Sequence, residues 1–236
     1  QAGIVPTFAR WADFQAGVEI PEEQKPEVNK QLDAITDYVF EVIQNSNFNQ
    51  EIHECFMDLA VGTGCMLVEE GDAVNPVKFT SIPLPKICLM NGPDGRIDTV
   101  YRTRVLKPEH ISVVYPKAVM PENFDPLRMK KDCTIIEVVY RVYEDNVEKY
   151  KYCVVMEDTK SIIFEEIYKG EGSNPYLVFR WNKASGEVYG RGPIFNAMGA
   201  IKTCNLTIEL ILQNAQMAVS GVYTYEDDGV INPDNI

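Results

Sequence analysis

Apolar residues recur every three or four positions between residues 27 and 43, with Leu32, Ile35, Val39, Val42 and Ile43 on one face and Asp33, Asp37 and Glu41 opposite. That period predicts an amphipathic helix. Asn47, followed three positions later by Gln50, reads as the N-cap of a second helix that buries Ile52, Phe56, Leu59 and Ala60. Gly62 and Gly64 should stop it. The period then switches to short apolar or β-rich runs at 65–70, 77–82 and 87–90. Asn91-Gly92-Pro93-Asp94-Gly95 follows, where Pro fixes φ and Gly accepts positive φ, and Ile97, Thr99, Tyr101, Thr103 and Val105 then alternate. This is a hairpin pattern.

A short helix is expected at 107–115 and a proline-containing loop at 116–131, long enough to suggest an interaction role. Strands are expected near 134–143, 148–156, 161–167 and 176–181, with turns at Glu144-Asp145-Asn146 and Glu157-Asp158-Thr159. Pro193 then sits where a first helical residue would. Ile194, Met198, Ile201, Asn205, Ile208, Leu212, Ala215 and Val219 mark a stripe at intervals of three, four or seven. A helix of this length, roughly 40 Å at 1.5 Å per residue, carries only Lys202 and Glu209 as charged side chains. It must bury itself within its own domain or against other subunits. In a chain with few other helices, subunit contact is the expectation, with Ile194, Met198, Ile201, Ile208, Leu212 and Ala215 as the candidate interface.

These elements give an α+β chain: an N-terminal arm at 1–26, an α/β core at 27–115, a connecting loop at 116–132, a β-rich region at 133–186, and the long helix with the start of a following segment at 187–236. Its 236 residues are 45% hydrophobic and lack an apolar run long enough to span a membrane, so the pattern is that of a globular chain with a real core. No targeting leader is visible at Gln1, and the chain reads as an excerpt of a longer protein. The six cysteines (Cys55, Cys65, Cys88, Cys133, Cys153, Cys204) have no C-x-x-C spacing and only His53 and His110 beside them, which disfavours zinc. Apolar neighbours such as Ile87 and Leu89 around Cys88 suggest reduced, buried thiols and a reducing cytoplasm.

Charge narrows the partners. The net charge is −13, and residues 1–72 hold fourteen acids against Arg10, Lys25 and Lys30. Such a region repels phosphate backbones and disfavours static DNA binding there; a solvated acidic face is the plain reading. Arg102, Arg104, Arg128, Lys130 and Lys131, interleaved with Tyr101, form the nearest basic patch. They are candidates for contact with nucleic acid or, more in keeping with the acidic N-terminal region, with a neighbouring subunit.

Catalytic patterns are weak. Gly62-Thr63-Gly64 follows a helix and precedes a strand, the reverse of a dinucleotide fingerprint, whereas Gly190-Arg191-Gly192-Pro193 precedes a helix, where free N–H groups and Arg191 are a candidate anion contact. The alternative is a turn that aims the long helix. His53 and Cys55 lie two apart on a helix and do not face each other. Paired acids at Glu22-Glu23, Glu69-Glu70, Glu165-Glu166 and Asp227-Asp228 read as solvated surface. The residues therefore imply no catalytic group, no cofactor, no metal and no small-molecule substrate.

Three stretches carry a family resemblance: Asn47-Phe48-Asn49-Gln50-Glu51-Ile52 with 58–70; Ile82-Pro83-Leu84 with 91–102; and Phe179-Arg180-Trp181 with 186–193 and Ile201-Lys202-Thr203-Cys204-Asn205. Their order and spacing resemble the head-to-tail connecting (portal) proteins of short-tailed bacteriophages. The resemblance implies a portal-type fold with an α/β wing core, an antiparallel β region and a stem-like helix. It also implies a non-enzymatic ring of twelve copies at the capsid vertex, assembled in the host cytoplasm and passing double-stranded DNA during packaging and ejection. Expected partners are the terminase large subunit, tail or adaptor proteins, and capsid and scaffolding proteins. Family members being longer, further regions would lie outside this sequence. The competing reading is a non-viral α+β interaction module.

Overall fold

A computed structural model of the protein describes residues 10–121, 124, 131–144, 147–170 and 172–221. Arg128, Lys130, the Asp145-Asn146 turn, Asp227-Asp228 and the first nine residues of the arm lie outside the described residues. Two compact units emerge, residues 1–193 and 194–236.

The first unit begins with α1 (Lys25–Asn45) and α2 (Phe48–Val61), joined at Ser46, whose hydroxyl donates to the Ile43 carbonyl at 2.6 Å and accepts from the Phe48 N–H at 3.1 Å. The buried residues of α1 are Thr36 and Phe40, while Ile35 of the predicted face is 51% exposed. The face is rotated because the segment before α1 lies against it. Thr36 Oγ1 accepts from the Phe14 N–H, Asn29 accepts from the Ala16 N–H, and Trp11 meets the Phe40 ring edge-on at 5.2 Å. Arg10 clamps that segment to Asp33 and Asp37.

Eight strands follow: β1 (Thr63–Glu70), β2 (Val77–Ser81), β3 (Ile87–Asn91), β4 (Ile97–Leu106), β5 (Cys133–Glu144), β6 (Val147–Met156), β7 (Ser161–Lys169) and β8 (Tyr176–Arg180). The helix α3 (Pro108–Val114) separates β4 from β5. The strands form two antiparallel sheets, ordered β2-β1-β8 and β3-β4-β5-β6-β7. The chain is mixed α+β, as its periodicity predicts. Pairing crosses the expected division between 27–115 and 133–186. β4 joins β5 in the larger sheet, and β8 returns to β1 in the smaller one. Three core clusters result. Cys65, Ile82, Leu89, Val100, Val139 and Tyr176 bring the sheets together; Ile111 of α3 packs with Ile135 and Met156; Ile52 and Cys55 of α2 pack with Met66 and Phe79.

Asn47 is not a side-chain cap for α2. Its amide is spent on the outer edge of β2, accepting from the Phe79 N–H at 3.0 Å and donating to the Phe79 carbonyl at 2.7 Å. Glu51 accepts from the Ser81 N–H at 2.6 Å on the same edge. The side chains thus complete an otherwise unpaired strand edge.

The second unit contains α4 (Pro193–Ser220) from Ile194 onward, 28 residues in the helix as a whole.

Candidate functional site

The loop that leads into α4 is built from close backbone contacts. The Gly190 N–H donates to Thr63 Oγ1 at 2.8 Å, the Arg191 N–H to the Asn182 carbonyl at 2.8 Å, and the Gly192 N–H to the Val61 carbonyl at 2.9 Å. A Cβ on Gly190 would collide with the Gly62 carbonyl, and one on Gly192 with the Ala60 carbonyl. Glycine is required here so that two backbones can touch. The N–H groups of Gly190, Arg191 and Gly192 are thus all donated within the fold. Arg191 is paired through Nε with Glu187 Oε2 at 2.9 Å and through a second nitrogen with Oε1, which raises its own pKa and lowers that of Glu187. The geometry is that of a close-packed junction at Gly62 leading into α4.

Arg102 and Arg104 converge on a carboxylate that the sequence reading did not single out. Glu137 of β5 stands directly opposite Arg102 of β4 and is 2% exposed. Arg102 reaches Oε2 at 3.2 Å, Arg104 reaches Oε1 at 3.0 Å, Tyr176 of β8 donates to Oε2 at 2.9 Å, and Tyr115, just after α3, donates to Oε1. Burial alone would raise the Glu137 pKa, but the Arg102 charge and the hydrogen bonds from Tyr115 and Arg104 outweigh it and hold the carboxyl below its ordinary value. Burial, reinforced by Glu137, pushes the Tyr115 and Tyr176 phenols up. All four donors terminate on one carboxylate, so the group is an internal hub linking β4, β5, β8 and the end of α3. Of the basic patch expected from Arg102, Arg104, Arg128, Lys130 and Lys131, the two arginines of β4 are turned to Glu137 and Lys131 is exposed. The missed signal was in the sequence. In β5 the alternating inward positions are Cys133, Ile135, Glu137 and Val139, and an acid at an inward position demands a cation across the strand pair.

The cysteine reading changes in one place. Cys55, Cys65, Cys133 and Cys153 are free and buried, Cys204 is free and exposed, and Cys88 is exposed because its neighbours Ile87 and Leu89 take the inner face of β3. The Cys55 thiol donates to Ser81 Oγ at 3.2 Å, and burial pushes the Cys65 thiol up to about 12. Neither is poised to be a thiolate. No group of three or more metal-binding side chains is assembled among the described residues.

On α4, the candidate interface residues Ile194, Met198, Ile201, Ile208, Leu212 and Ala215 are all exposed. So are Phe195, Leu206, Leu210 and Met217. At about 100° per residue the second set lies roughly two-fifths of a turn around from the first. The helix therefore presents two apolar stripes, where the sequence reading marked one.

The family model for the bacteriophage head to tail connecting protein matches residues 1–236. The chain belongs to that family. No curated protein matches it. As a connector it is a structural component of the virion and joins capsid to tail components. That assignment accords with what the side chains do. Arg102, Arg104 and Arg191 are spent on internal partners, and the apolar side chains of α4 are exposed among the described residues.

Proposed function

We propose that this connector subunit forms a closed ring at the portal vertex, through which double-stranded DNA is packaged and ejected, and that α4 makes lateral contact with neighbouring copies. The observation that carries the reading is the helix itself. It has 28 residues and two charges, and none of its side chains is buried among the described residues. Apolar area of this extent favours association, and two stripes on one helix suit a ring, in which each subunit has a neighbour on either side. The candidate interface remains Ile194, Met198, Ile201, Ile208, Leu212 and Ala215, extended by the second stripe. A net charge of −13 suits a wall along which DNA slides without adhering, because acidic side chains do not condense on phosphates.

On this reading the connector is not an enzyme. Twelve copies, terminase large subunit docking, capsid and scaffold contact and tail or adaptor attachment are the corresponding partner assignments. Native mass spectrometry of the full-length protein, with negative-stain imaging, tests the ring. Closed rings with a central hole are the expected result. A monomer across a range of concentration and salt, in the presence of capsid and scaffold proteins, would overturn it.

A further inference from the structure

The four sheet edges of the first unit are not treated alike. The outer edge of β2 is completed by Asn47 and Glu51, that of β3 receives the Tyr189 hydroxyl on the Leu89 N–H at 3.1 Å, and that of β7 receives the Val119 N–H on the Ile163 carbonyl at 2.7 Å. The remaining edge belongs to β8. Val68 bonds to the Pro175 carbonyl and Trp181 to the Gly62 carbonyl, so 175, 177, 179 and 181 face β1 in the ladder. Val178 therefore directs its N–H and C=O, and Tyr176 its C=O, to the open side. Among the described residues nothing bonds to these groups there; the Tyr176 N–H alone is satisfied, by Asn174.

That edge borders a groove of about 600 Å³ between β8 and the β3–β4 turn. Arg96, Arg180 and Lys183 line it. Arg180 and Lys183 meet only backbone carbonyls, of Val188 and Gly95. The one acid in the lining, Asp94, is held bidentately by Arg141 at 2.9 and 3.0 Å and has no charge to spare for the groove. The local balance is cationic within a chain that is strongly anionic overall.

We propose that this groove is a docking site for an extended acidic peptide segment of another protein chain, which adds as a strand to β8. An added strand supplies both donors and acceptors to Val178, while its carboxylates meet Arg96, Arg180 and Lys183. A DNA backbone meets the cations equally well but has no N–H to give the Val178 and Tyr176 carbonyls, which is why the edge favours peptide. The inference does not depend on ring formation or on α4.

The test is fluorescence anisotropy of the full-length connector with a labelled peptide of alternating Thr and Glu, about six residues long, the length of a typical strand. Saturable binding that weakens with salt is expected, falling about tenfold or more when Arg96 and Lys183 are both changed to Glu. The wild-type protein also meets a peptide N-methylated at alternate backbone positions, which keeps every charge and removes strand pairing. Loss of binding by that peptide supports strand addition. Equal binding by it, no binding by the parent peptide, or preferential binding of a short DNA duplex each overturns the proposal.

Discussion

Glu137 receives hydrogen bonds from Arg102, Arg104, Tyr115 and Tyr176 in the interior of the first unit. Replacing it with Gln leaves Arg102 and Arg104 partly buried without their counter-charge, and a loss of about 3 kcal/mol is expected from urea unfolding. Its pKa also sets a pH dependence. Because the folded state holds the carboxyl below its ordinary value of 4.5, the unfolded chain takes up the proton first. The contribution is complete above about that pH and is lost as the pH falls below it. Asp94 adds in the same direction, its hydrogen bonds to Arg141 holding it at about 2 against an ordinary 3.8. Stability measured by urea titration from pH 6 down to about 3 should therefore decline in the wild type and decline less steeply in Glu137→Gln. At the glycine junction, Gly192→Ala drives a methyl group into the Ala60 carbonyl, and a cost of about 2 kcal/mol is expected in the same assay. A neutral Gly192→Ala variant would show that the junction gives way easily.

At the scale of elements, α4 and the sheet edges make opposite demands. A helix whose apolar side chains are uncovered needs a partner, so Ile208→Asp should shift the connector toward smaller species in native mass spectrometry, with the far-ultraviolet circular dichroism of the first unit unchanged. Unchanged assembly by that variant counts against a buried lateral contact. The β2 edge, in contrast, is finished by its own chain. Asn47→Ala removes both hydrogen bonds to Phe79 on that edge, so a loss of about 1–2 kcal/mol is expected on unfolding. If Asn47 acted as a helix cap instead, Asp in its place would restore the loss; its carboxylate has no hydrogen to donate to the Phe79 carbonyl, as the amide does.

For the whole molecule, the clusters that bury the core draw on residues from Phe40 to Val188, none of them in α4. A chain ending at Pro193 is therefore expected to unfold in one cooperative urea transition and to have lost self-association in native mass spectrometry. Several transitions would instead mean that the two sheets do not form one folding unit. The element order behind this prediction was legible from periodicity. α1, α2, β1 to β8 and α4 were each expected within a few residues of where they lie, because alternation and helical spacing are local consequences of which face meets the core. The family, too, was legible from residue order and spacing alone.

Tertiary structure decided which faces meet. β8 pairs with β1 across more than a hundred positions, and no local pattern specifies a partner at that distance. Arg102 and Arg104 read as a surface patch because the acid that claims them lies on another strand, one register step being enough to place Glu137 inside or out. Asn47 read as a cap because its alternative, the edge of β2, exists only once α2 has packed on the sheet. The sequence by itself determined the elements and their amphipathic faces, which follow from side-chain period and order, and it carried the resemblance that pointed to the family. The pairing of distant strands, the owner of each buried charge and the β8 edge left open among the described residues belong to the fold, because each depends on groups brought together only when the long-range register is set.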